Sequence, residues 1–84
     1  MYKNKTPNGR NNICGKNIKK IRLARHEKTS QRALADMLQR YGLDIDKNAI
    51  QRIESGQRFV TDIELLAFSN VLNVTLDELL SDIE

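Results

Sequence analysis

The chain has 84 residues, a formal net charge of +3, one cysteine and one histidine. That length supports one domain with a modest core. A lone Cys14 excludes an intramolecular disulfide, one Cys with one His excludes a Cys/His metal cluster, and no apolar run is long enough to span a bilayer. The N-terminus is polar and basic rather than like a signal peptide, so a reducing, cytoplasmic setting is expected.

The mild net charge hides an asymmetry. Residues 1–32 carry ten Lys/Arg against Glu27 alone, residues 33–58 carry four of each sign, and residues 59–84 carry six acids and no Lys or Arg. One end of the chain favours a polyanion and the other repels it, although a solvated basic face gives the same tally.

In chain order, residues 1–12 hold Pro7, Gly9 and four Asn with almost nothing to bury, and read as a flexible basic arm. Its Lys3, Lys5 and Arg10 either follow a nucleic-acid backbone or do nothing. The domain is then 13–84. Ile18, Ile21 and Ala24 at helical spacing predict a first helix over 15–25, surrounded by Lys19, Lys20 and Arg22. A polar connection, 26–29, leads to Ser30, whose hydroxyl suits an N-cap. The second helix covers 31–41 with the stripe Leu34, Ala35 and Leu38, and Gly42 ends it as a C′ glycine. Leu43 and Ile45 tuck two apolar side chains into a short connection. Asp46 caps the third helix, which runs to about Ser55 and stops at Gly56. Thr61 with Glu64 forms a capping box for a fourth helix to Leu72, with Ile63, Leu66, Ala67 and Val71 as its core face. A second box, Thr75 with Glu78, opens a fifth helix to about Ile83, with the stripe Leu76, Leu79, Leu80 and Ile83. No stretch alternates like a strand, so the expectation is a five-helix, all-α globule.

The third helix raises the functional question. Ile50 and Ile53 share one face, which leaves Lys47, Asn48, Gln51 and Arg52 largely on the other. Either solvent or the edges of DNA bases would explain such a face. The order and spacing of IKKIR (18–22), SQRALADML (30–38), NAIQRIESGQR (48–58) and TDIELLAFSNVLNVTLDELL (61–80) resemble the lambda-repressor-like, Cro/C1-type (XRE-like) helix-turn-helix domain. The sequence departs from that pattern in two places: the link 26–29 is longer than usual, and Ala35 and Ile50 stand further apart, through QRYGLDID.

The resemblance implies that the second and third helices are the helix-turn-helix. The third is then the recognition helix, entering the major groove N-terminus first. Carried over position by position, Lys47, Asn48, Gln51 and Arg52 face bases. Asn pairs with adenine, while Lys and Arg donate to guanine. Ala49 would give room or touch a thymine methyl. Gln31, Gln57 and Arg58 fall where the family touches phosphate, and Arg22 with Glu54 resembles a structural pair between the first and third helices. The implied function is a sequence-specific, double-stranded-DNA-binding transcriptional regulator, most simply a small repressor of phage or bacterial type. It would need no cofactor.

Leu80 and Ile83 at the chain end fit either ordinary core packing or a two-fold dimer contact. A dimer would call for a pseudo-palindromic operator with half-sites roughly 34–36 Å apart. A rival reading is an antitoxin- or adaptor-type interaction module whose acidic C-terminal helices bind a basic partner protein. A third is a sequence-indifferent nucleoid-type binder. DIDKN (44–48) resembles the start of an EF-hand loop, but Ala49 and Ser55 stand where Gly and Glu are needed, which rejects calcium. No Gly-rich phosphate loop or nucleophile signature is present, so no enzyme is expected.

Overall fold

The computed structural model describes residues 5–81, which form five helices and no strand. They are α1 (Cys14–Ala24), α2 (Gln31–Tyr41), α3 (Lys47–Ser55), α4 (Asp62–Leu72) and α5 (Leu76–Leu80). α1 lies against α3, α4 and α5, and α2 against α3 and α4. Ile18, Leu34, Leu38, Ile50, Ile53, Phe68 and Leu79 meet in one core, all fully buried.

Local chemistry sets the helix ends. Ser30 Oγ accepts from Ala33 N, and Asp46 Oδ1 accepts from Ala49 N at 2.8 Å. Thr61 with Glu64 and Thr75 with Glu78 both close capping boxes. After α2, the N–H groups of Gly42 and Leu43 both donate to Leu38 O. The wide spacing between Ala35 and Ile50 is taken up by this three-turn α2 and by residues 42–46. That link is pinned, because Ile45 is buried and Gln39 Nε2 donates to Ile45 O at 2.9 Å.

Three expectations need correction. On α4, Ile63 is 72% exposed and Leu66 52%, whereas Ala67, Phe68 and Leu72 are buried. α4 carries apolar residues nearly all round, so periodicity could not choose its inner face. The large Phe68 ring takes the centre of the core. On α5, Leu79 is buried but Leu76 and Leu80 are exposed. The helix also stops at Leu80, with Ser81 extended, where Asn17 Nδ2 draws in the carbonyls of Leu79 and Ser81 at 2.7 Å each. Ala49, expected near a base, is buried in the core instead. Ile83 and Lys3 lie outside the described residues.

Within the expected arm 1–12, a turn closes between Thr6 and Arg10, with Thr6 N donating to Arg10 O and Arg10 N to Thr6 Oγ1, and contacts with the rest of the fold begin at Arg10. Arg10 Nη2 donates to Glu54 O (2.8 Å), Asn11 N to Gly56 O (2.8 Å), and Asn12 Nδ2 to both Ile53 O (3.0 Å) and Arg58 O (2.7 Å). Asn12 Oδ1 accepts from Gly15 N, capping the start of α1. α1 thus begins directly on the exit of α3. Gly15 is required there, because a Cβ would collide with Ile53 O.

Candidate nucleic-acid interface

α3 presents two unlike faces. Ala49, Ile50, Ile53 and Glu54 are buried, while Lys47, Asn48, Gln51 and Arg52 are exposed. At 3.6 residues per turn the four exposed positions cover an arc of about 140°, in two adjacent i, i+4 rows: Lys47 with Gln51, and Asn48 with Arg52. Among the described residues none of these side chains makes a hydrogen bond or ion pair. The face therefore offers cationic donors from Lys47 and Arg52 and amides from Asn48 and Gln51, none of them spent within the fold.

The opposite face is held by Glu54. Arg22 Nε and Nη2 donate to its two carboxylate oxygens at 2.8 and 2.9 Å, and Arg22 Nη1 donates to Thr29 O at 3.0 Å. The carboxylate raises the pKa of Arg22 above its ordinary value through these hydrogen bonds, against the opposing effect of burial. Gln31 Nε2 also donates to Glu54 Oε1 at 3.0 Å. One buried carboxylate therefore joins α1, the start of α2 and the end of α3. Gln31 keeps one amide hydrogen beyond the Glu54 bond, at the N-terminal end of α2, where the helix dipole favours an anion.

At the exit of α3, Gly56 adopts the left-handed conformation (φ 87°) and its N–H closes on Ile53 O. The Gln57 side chain is exposed. Arg58 is engaged within the fold: its guanidinium forms a bidentate pair with Glu64 at 3.1 and 3.0 Å. Glu64 Oε1 also accepts from Thr61 N. Burial pushes the Glu64 carboxyl up, but the bonds from Arg58 and Thr61 outweigh it and hold its pKa below the ordinary carboxylate value. Of the three residues the resemblance placed against phosphate, Gln57 is open, Gln31 is half engaged, and Arg58 braces the entry to α4.

Two groups were missed at the level of sequence. Arg10 and Asn12 contact the exit of α3 from more than forty residues upstream, and no local pattern announces that. Cys14 is buried, which pushes its thiol up to about 11, so it stays protonated and packs as an apolar side chain. Among the described residues, no group of His, Cys, Asp and Glu is placed to hold a metal ion, and no helix is long and apolar enough to cross a membrane.

A capped α2 and α3 in contact through a pinned link, with α3 turning a polar, unspent face outward, define an all-α helix-turn-helix domain. The helix-turn-helix family model matches residues 18–79, and the chain belongs to that family, of the Cro/C1, XRE-like type. It is a DNA-binding regulator of that kind. No curated protein and no solved structure matches the chain.

Proposed function

We propose that this regulator reads duplex DNA in the major groove with Lys47, Asn48, Gln51 and Arg52, and that it represses transcription by occupying a promoter. The observation that carries the reading is the outer face of α3. Four side chains with base-reading chemistry stand there without intramolecular partners, on a helix whose inner face is locked by Ile50, Ile53 and Glu54. Asn48 suits adenine N6 and N7, and Lys47 and Arg52 suit guanine O6 and N7. Gln31 and Gln57 flank the face and would contact phosphates, which position the domain without reading sequence. Arg58 would have to leave Glu64 to join them, so it is assigned to the scaffold.

The test is selection from a randomised duplex pool at physiological salt, with Asn48→Ala and Arg52→Ala beside the wild type. The expected result is an enriched motif in the wild type. Each variant should lose about 1–3 kcal/mol of discrimination at the position it reads. Salt-sensitive binding without an enriched motif, unchanged in both variants, would mean sequence-indifferent attachment and would sink base readout.

A further inference from the structure

The segment that closes the exit of α3 brings a cation with it. Residues 10–12 cover five of the six carbonyls of residues 53–58. Arg10 Nη2 donates to Glu54 O, Asn11 N to Gly56 O, Asn11 Nδ2 to Gln57 O, and Asn12 Nδ2 to Ile53 O and Arg58 O. Uncovered, those oxygens would give the exit the negative end of a helix, which repels a phosphate.

The Arg10 side chain is held between two glycines. A Cβ on Gly56 would meet its Cγ, Nε and Cζ within 2.9 Å, and a Cβ on Gly15 would meet its Nη2 at 2.9 Å. The guanidinium is therefore fixed by backbone on two sides. Nε is buried without a partner, which costs free energy, and Nη2 holds Glu54 O. Nη1 has no partner among the described residues, and Arg10 keeps part of its surface in water. Bracing one carbonyl needs a single N–H and no charge.

The charges around it leave the guanidinium without a carboxylate. Of the acids on the elements packed here, Glu54 is taken by Arg22 and Gln31, and Glu64 by Arg58. Asp62, exposed in the first turn of α4, makes no ion pair among the described residues. Lys5, at the entry to the Thr6–Arg10 turn, and Lys19, one turn along α1 from Gly15, are exposed and add to the positive potential. Gln57, whose carbonyl is tied to Asn11, turns its own side chain to solvent beside Arg10.

We propose that Arg10 is a phosphate-contacting residue of the DNA interface, fixed over Gly56 beside Gln57, and that it makes the backbone contact for which Arg58 is not free. A guanidinium held in one orientation suits a phosphate oxygen better than a lysine on a mobile stem. The proposal rests on the reading of α3 as the helix that binds duplex DNA.

The test uses the whole chain and two duplexes: the one that the wild type enriches from the randomised pool, and a scrambled duplex of the same length. Affinity is measured across a salt series for the wild type, Arg10→Met, Arg10→Lys, Asn12→Ala and Arg58→Gln, with helix content checking that each variant folds. Arg10→Met should weaken both duplexes by the same factor, about tenfold, and should lower the slope of log affinity against log salt by about 1. Arg10→Lys should keep the slope, because it keeps the charge. Asn12→Ala loosens the same junction without removing a cation, and Arg58→Gln removes a cation already spent on Glu64, so both should leave the slope as it is. Weaker binding by Arg10→Met at an unchanged slope would show that Arg10 only braces α3, and overturns the proposal. So does a fall in slope for Arg58→Gln with none for Arg10→Met, which returns the contact to Arg58. Wild-type enrichment of a motif with Arg10→Met binding unchanged overturns this proposal alone. Absence of duplex binding by the wild type overturns it together with the reading of α3.

Discussion

Glu54 is 6% exposed and accepts three hydrogen bonds, two from Arg22 and one from Gln31. Neither charge of the pair could stay buried alone. Glu54→Ala would leave the Arg22 guanidinium out of water with only Thr29 O as partner, and should destabilise the fold by about 3–5 kcal/mol. Urea unfolding would show this as a lower midpoint at unchanged slope. The double replacement Arg22→Met/Glu54→Leu should recover most of the loss, because no buried charge then lacks its partner. Glu64 supports a prediction in pH. Its folded pKa lies below the ordinary value of 4.5, so the unfolded chain binds this proton more readily than the folded one. The stabilisation is present above pH 4.5 and is lost as pH falls through the lower folded value. The stability difference between wild type and Glu64→Gln, measured by thermal unfolding across pH, should be largest near neutrality and shrink in acid. A constant difference would mean that the carboxylate charge contributes nothing.

Among the elements, α3 shows how a short helix is held at both ends. Asp46 caps its start, and its last carbonyls are taken by Gly56 N and Gln57 N and by side chains of Arg10 and Asn12. Asn12 is the most connected of these. It also binds Arg58 O and caps α1 through Gly15 N. Asn12→Ala should cost about 2 kcal/mol or more, because it strands polar groups that are largely buried. Amide exchange should quicken in the last turn of α3 and the first of α1, whereas Asn8→Ala, at an exposed position, should change neither. Exchange that quickened uniformly, or not at all, would show that Asn12 does not hold this junction. The helix starts were legible from Ser30, Asp46, Thr61 and Thr75, since a cap is a contact between residues three apart. The inner face of α4 was not legible, because Ile63, Leu65, Leu66, Phe68, Val71 and Leu72 surround the helix and any of several faces could have gone inward.

At the scale of the molecule, the two ends of the chain carry opposite charge and the fold keeps them on different helices. The basic residues of α1 belong to the segment that attracts a polyanion, α3 to a segment with four charges of each sign, and α4 and α5 to the segment that repels one. The polar face of the candidate site was readable because Ile50 and Ile53 set the phase of α3, and everything opposite them had to point out. The fate of the flanking residues was not. Arg58 and Gln31 looked equally free in sequence, yet one is bound bidentate to Glu64 and the other shares Glu54 with Arg22. The sequence alone determined the number of helices, their starts, the outward face of α3 and the charge asymmetry. Each of these follows from chemistry between residues a few positions apart, or from counting. The tertiary structure decided which side of α4 enters the core, that Arg10–Asn12 close the exit of α3, and which polar groups remain unspent. Those outcomes depend on partners distant in sequence, which only the packed chain brings within hydrogen-bond reach.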